Sequence, residues 1–455
     1  MKGTLIFLSL SVLLAVLSFP LAAEDSEEEE DALQSITQER RDILLYGIDS
    51  QIIAVLEDLK NDKNDSLVEE AKELFLSTLN HKIRQAVLGY FEEISYMDAA
   101  DTVLTFLKPY EDELYPVDVI SASLSYLSKS TLVSDKEALS LFMDLSRHED
   151  PLVQRAAVTA LGKTANDEAT QFLMELYEDE DADVNLQSII LSSLGELKAR
   201  EARVMLENIL ADQDEEKSLR WRACQALGVL GDEKSLPVLK RALTSDDTYL
   251  RSYAAAALKT FPGREVESLL MEALKDSFWR VRLSASETLG ERKSREAVPI
   301  LIFKAEKDPE ANVRLAAFQA LGEIASPEAV DFIEATLEKK TASLPLRQEA
   351  VAILLKLEPS GSLELLEKIL QEVWEEKNSP LLNTLGKQLS QHEHKDLEPI
   401  FAKMLAHPEI TMKIYAIRGI GRNRFVSFKE SLENLSAPGN PSSIRREALG
   451  VLETF

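Results

Sequence analysis

A phrase of ten residues returns every thirty-odd positions along this chain. It is clearest as VRLAAFQALG (313–322). It comes back as VQRAAVTALG (153–162), LRWRACQALG (219–228), LRSYAAAALK (250–259) and VRLSASETLG (281–290). Self-similarity at this period marks stacked helical units, each of which buries its apolar face only against its neighbours. The anchors Leu219, Leu250, Val281, Val313 and Leu346 stand 31, 31, 32 and 33 residues apart. Weaker matches start at Ile83, Val119, Leu186, Leu381, Met412 and Ile444. The 36-residue step from Ile83 to Val119 is assigned to an insertion, KPYEDELYP (108–116).

Numbered from its first apolar residue, the phrase has a small residue four places on, a small or apolar one seven on and a leucine eight on. These offsets put Val313, Ala317, Ala320 and Leu321 on one face of a helix. A second amphipathic stretch precedes each anchor, as in DEKSLPVLKRAL (232–243), SREAVPILIFKA (294–305) and SPEAVDFIEATL (326–337). Asp or Ser opens each one and acids follow, as helix N-termini prefer. Pro237 and Pro299 sit a few residues in, where the first N–H groups have no intrahelical partner. Each unit therefore reads as helix A, a turn, helix B and another turn, with almost no strand.

The register resembles the HEAT-repeat family, in the short bacterial form also seen in phycobilisome-lyase-type repeats, over roughly residues 65–455. The resemblance implies an all-α fold: a right-handed α-solenoid of stacked antiparallel helix pairs, about 11–13 repeats, assigned to 41–455. Such repeats carry an Asp in the A–B turn and an Arg early in helix B. Asp214 and Arg220, Asp276 and Arg282, and Asp308 and Arg314 keep one spacing of six. Arg251 and Arg347 share the register without the matched Asp, as do Arg84 and Arg445. These arginines suit either a basic stripe or an internal hydrogen-bonded ladder. The family's pattern implies the ladder.

The first residues read as an export signal: Lys2, an apolar run over 5–17, and Ala22-Ala23 before Glu24. The run is short for a membrane span. Cleavage after Ala23 is expected, which makes 1–23 a signal peptide and the protein exported, with the periplasm as its compartment. An uncleaved N-terminal membrane anchor is the alternative. No later stretch is apolar enough to span a membrane. The acidic block EDSEEEED (24–31) opens a segment, 24–40, expected to lack structure.

The formal charge is −28, and −29 once Lys2 leaves with the signal. An acidic excess of this size excludes nucleic acid as a general partner, because phosphates dominate that affinity. A protein or peptide, basic on charge grounds, fits better. Cys224 is the only cysteine, so no intrachain disulfide forms, and its place in helix B predicts a buried, unreactive thiol.

Catalytic chemistry is not legible. There is no phosphate loop, nucleophile elbow or HExxH. His392 and His394 are two apart, so they diverge on a helix and lack a third metal ligand in a loop. The HEAT-like deoxyhypusine hydroxylase binds iron through His-Glu pairs early in helix B. The matching positions here hold Gln348-Glu349 and Arg446-Glu447. No cofactor and no metal are therefore expected, and the chain reads as a non-enzyme.

In related solenoids helix B lines the concave face, so offsets two, five, six and nine are candidates for exposure. They include Trp221, Gln225, Glu287 and Gln319. With the turn residues they nominate a partner-binding patch: Trp221, Arg222, Gln225, Tyr249, Phe278, Trp279 and Arg280. The last repeat, IRREALGVLETF (444–455), is expected to put Phe455 on the core face and to permit self-association through that end. The function expected is an exported scaffold or adaptor docking a partner on the concave face. The alternatives are a HEAT-like enzyme using a metal or chromophore, and a structural envelope protein assembling through its ends.

Overall fold

The computed structural model describes residues 25–110, 115–357, 361–376 and 378–455, with side chains from residue 35 on. The signal 1–23, Glu24 and part of the 108–116 insertion lie outside the described residues. Among those described there are 26 α-helices and no strand, so two helices per repeat make thirteen A–B pairs in chain order. The chain divides into two compact units, one ending at Tyr177 and one spanning Glu178–Phe455.

The helices form where local signals ask for them. Asp135, Asp150, Asp183, Asp247 and Ser326 each accept a backbone N–H of the helix they precede, which satisfies a donor the helix leaves open. Helix B ends with equal regularity. The residue twelve places after the anchor has positive φ at Ser95, Ala165, Lys198, Gly231, Lys293, Ala325 and Arg424. This left-handed residue stops the helix and turns the chain toward the next A helix. Val313, Ala317, Ala320 and Leu321 are buried, as the register requires. The Leu381 unit, weak in sequence, forms a full helix Pro380–Ser390 with Leu381, Leu382, Leu385 and Leu389 buried.

Two expectations are corrected. From Asp25 onward the segment expected to lack structure belongs to the helix Asp25–Tyr46. Its far half is pinned by Arg40 to Asp62 at 2.7 Å and by Arg41 to Glu70 at 2.6 Å. Phe455 lies beyond the last helix, Ser442–Leu452, and is 36% exposed rather than on the core face. Ile444 and Ala448 bury that helix without it.

Candidate functional site

The B helices of the second unit are tied at their N-terminal ends by the arginine ladder, though not in the pairing that the spacing of six suggests. Arg282 donates Nε and Nη2 to both carboxylate oxygens of Asp308, one repeat on, at 2.8 and 2.7 Å. Asp276, six residues before it, supplies only its backbone carbonyl, at 2.9 Å. Arg251 does the same: both oxygens of Asp276 at 2.7 and 2.9 Å, and the carbonyl of Ser245 at 2.8 Å. Arg314 closes the run on the carbonyl of Asp308 at 2.7 Å.

Arg251 thus belongs to the ladder that its own turn seemed to deny it. Asp214 does not: it is exposed, and no arginine stands one repeat earlier to reach it. Arg220 and Arg347 reach only the carbonyls of Leu210 and Leu337, at 3.3 and 2.9 Å, with Glu372 also 3.6 Å from Arg347. Burial alone pushes the Asp276 and Asp308 carboxyls up. The hydrogen bonds from arginine and from the N–H of Phe278 and Glu310 outweigh it and hold both below the ordinary range.

The expected patch splits. Trp221, Tyr249, Phe278 and Trp279 form one aromatic strip across three repeats, with ring centroids 5.3, 5.3 and 6.3 Å apart. Arg280 lies 5.3 Å over Tyr249 and 5.0 Å over Trp279, within cation–π range. Trp221, read as exposed, is half-buried. Its Nε1 donates to Asp247 at 2.9 Å and its ring stacks on Tyr253. Asp247 also caps the next B helix, so the indole works as a strut between repeats. Arg222 and Gln225 turn the other way: Arg222 donates to Ser188 of the preceding repeat at 3.2 Å and to Gln225 at 2.8 Å. Phe278 and Trp279 are half-buried as well, leaving Tyr249 and Arg280 as the exposed members.

A larger feature runs along the B helices themselves. A groove of about 800 Å³ crosses Thr248–Ala257, Trp279–Glu291, Ala311–Ile324 and Leu344–Leu357. Its floor is alanine and glycine, and its charged lining is Glu287, Glu291, Glu323, Glu349, Lys259 and Lys356. Lys259 pairs with Glu291 at 2.9 Å and Lys356 with Glu323 at 2.7 Å. Glu287 and Glu349 make no ion pair among the described residues, so the groove is net acidic. Burial, with Glu291 beside it, pushes the Glu287 carboxyl up.

A second groove, also about 800 Å³, crosses Pro380–Ser390, Ile410–Asn423 and the last helix. It is lined by Lys387, Arg418, Arg422 and Arg424 against one acid, Glu393. Arg418 is held by both oxygens of Glu447, and Arg422 lies 3.7 Å from Glu393.

Offsets six and ten of the register contain most of this. Successive repeats carry Glu287/Glu291, Gln319/Glu323, Ala352/Lys356, Lys387/Gln391 and Arg418/Arg422. The face changes sign step by step along five repeats. Sequence reasoning found Glu287 and Gln319 through offset six. Offset ten, one helical turn further, was the signal that would have exposed the series.

Catalytic candidates gain little. The His392 and His394 rings are 6.5 Å apart, and His394 Nδ1 accepts the N–H of Asp396. No group of three potential metal ligands occurs among the described residues. Gln348 donates to Thr384 of the next repeat at 2.7 Å. Burial pushes the Cys224 thiol up, away from thiolate.

The paired helices and the extended B face define an α-solenoid of HEAT-like repeats. More particularly, the family described as Spirochaete HEAT repeat protein matches residues 44–451, and the chain belongs to it. No curated protein matches the chain significantly. Among solved structures, a chain of the Kap95:Nup1 complex is similar at 15% identity and a TM-score of 0.52, covering 95% of this chain and 68% of that one. Escherichia coli YibA gives 16% identity and 0.37, covering 58% and 96%. Human deoxyhypusine hydroxylase gives 18% and 0.27, covering 59% and 99%. The likeness to the chain of the Kap95:Nup1 complex shows the fold.

Proposed function

We propose that the protein is an exported, non-enzymatic scaffold that docks a partner protein along the B-helix face of its second unit. The observation that carries this reading is the acidic groove across four successive B helices, with Glu287 and Glu349 unpaired at its lining. A basic segment would supply the counter-charge that exposed Glu287 and half-buried Glu349 lack, and the attraction is strongest where the groove walls exclude water. Tyr249 and Arg280 stand at the ends of the same helices as further contacts. Kap95, of like fold, is found in complex with the protein Nup1, which supports protein docking as a use of this architecture. Among the described residues no helix is long and apolar enough to cross a membrane. The apolar run over 5–17 and Ala22-Ala23 support export to the periplasm.

A photo-crosslinking residue at Gln319, exposed within the groove, tests the docking in native cells. A saturable crosslink to a basic stretch of one protein is expected, weakened about tenfold by Glu287→Lys with Glu349→Lys. Crosslinking that neither saturates nor responds to the charge reversal would overturn the reading. Export is tested by mass spectrometry: a mature N-terminus near Glu24 is expected, and an intact Met1 on soluble cytoplasmic protein refutes it. Intact Met1 on membrane-bound protein would instead support the uncleaved anchor.

A further inference from the structure

The B-helix face carries more than one charge sign, and the order of the signs is fixed. The five repeats from Val281 to Met412 pass from Glu287/Glu291 to Arg418/Arg422 at the same two register positions. Equivalent offsets of stacked repeats lie side by side, so residues far apart in sequence form one graded track. The basic end is unusual for a chain of net charge −28. Of its four cations, only Arg418 is held bidentately, while Lys387 and Arg424 have no ion-pair partner among the described residues.

We infer that this face reads a bipartite segment of one partner, basic where it lies over Glu287/Glu291 and acidic where it lies over Arg418/Arg422. The inference rests on the docking reading above and specifies the partner's chemistry. A uniformly basic segment would gain at one groove and be repelled at the other. A bipartite segment gains at both, and only in one direction along the track. Neighbouring helices pack about 8–10 Å apart, so four steps separate the two ends by about 32–40 Å. An extended chain covers that distance in roughly a dozen residues. The segment is therefore a basic cluster and an acidic cluster about a dozen residues apart. It binds extended, with orientation set by charge.

The test uses the full chain and synthetic peptides followed by fluorescence anisotropy at low and high salt. One peptide carries four lysines and four glutamates at opposite ends of a neutral spacer of about a dozen residues. The controls are its charge-scrambled isomer, the lysine half alone, and an acidic peptide with the sequence of residues 24–31. The bipartite peptide should bind about tenfold or more tighter than any control and weaken as salt rises. Lys387→Glu with Arg422→Glu should remove that advantage, as should Glu287→Gln with Glu291→Gln. The milder Lys387→Gln/Arg422→Gln pair should reduce it with the helical circular dichroism unchanged. If the lysine half binds as tightly as the bipartite peptide, and the Lys387/Arg422 variants have no effect, the inference falls while docking at the acidic groove stands. If the 24–31 peptide binds best, the occupant of the basic groove is a second copy of this chain, and the inference falls. If no peptide binds, it falls as well, and the crosslinking at Gln319 judges the docking reading separately.

Discussion

The two units stitch their repeats together by different chemistry at the same register position. Seven places after the anchor, the Ile83 and Val119 repeats of the first unit have Tyr90 and Tyr126, both fully buried, while its Val153 repeat has Ala160. Each hydroxyl reaches back to the turn after the preceding B helix: Tyr90 to the carbonyl of Asn64 at 2.7 Å, Tyr126 to that of Tyr96 at 2.8 Å. The second unit has Ala226, Ala257 and Ala320 there, each facing a glycine at offset nine of the repeat before (Gly195, Gly228 and Gly290), and Thr288 where that offset holds Lys259. A Cβ on Gly228 would sit 2.7 Å from the Cα of Ala257, and one on Gly290 2.7 Å from the Cα of Ala320. There the B helices approach backbone to backbone, with the Arg–Asp ladder binding their ends. The contrast teaches that the repeat fixes a register while leaving volume free. A large polar-tipped side chain spans the gap in one unit; in the other the gap is closed and charge takes over the stitching.

The largest effect should come from cutting the ladder. Asp308 is fully buried at its side chain, and Arg282 nearly so, at 0% and 8% exposure. Asp308→Ala leaves a desolvated guanidinium without its partner and should cost about 3–5 kcal/mol. Replacing both residues by leucine should recover much of this. All three tryptophans, Trp221, Trp279 and Trp374, lie in the second unit, so urea unfolding followed by tryptophan fluorescence reads it directly. Equal losses in the single and double variants would mean that the pair is not the tie.

Next, Gly290→Val should overpack the close approach and cost about 1–3 kcal/mol. Ala320→Gly should not rescue it, because it removes the Cβ at 2.8 Å but leaves the Cα at 2.7 Å. Rescue would show that the helices can separate and that the glycine is not a spacing device.

The two chemistries should also fail at opposite ends of the pH scale. Asp276 and Asp308 are held below the ordinary carboxylate range in the folded state. Their stabilisation is complete above the unfolded value of about 4 and is lost as pH falls through the lower folded values. In the first unit, burial first and then Asp65 and Glu70 push Tyr90 up to about 12, and burial pushes Tyr126 up. These neutral, hydrogen-bonded phenols stabilise fully below the unfolded value of about 10. That contribution disappears as pH rises through the folded values. Acid should therefore weaken the second unit first, seen by tryptophan fluorescence. Alkali should weaken the first unit, seen by tyrosine difference absorbance. Simultaneous loss of both signals at either extreme would break the comparison.

The smallest effect is a gain. Gly89 sits inside the helix His81–Glu93, and a Cβ there meets nothing within 4 Å. Gly89→Ala should stabilise the first unit by up to about 1 kcal/mol in thermal unfolding, whereas the same change at Gly228 should not.

The sequence by itself determined the helical period, the A–B alternation and the buried stripe of Val313, Ala317, Ala320 and Leu321. All of these depend on contacts within a helix or on which face turns inward, and a 3.6-residue period carries that information locally. It also contained the arginines and aspartates of the ladder, but not their partners. Residues six apart look paired on paper, while Arg282 reaches 26 residues on to Asp308, a distance that only the stacking of repeats makes short. Trp221 was misjudged for a related reason: its offset named an outward face, and Asp247 and Tyr253 of the next repeat then covered that face. The graded charge at offsets six and ten was present in the letters throughout. It became a track only when the tertiary structure laid those offsets side by side, because a surface field is a property of neighbours in space and not of neighbours in the chain.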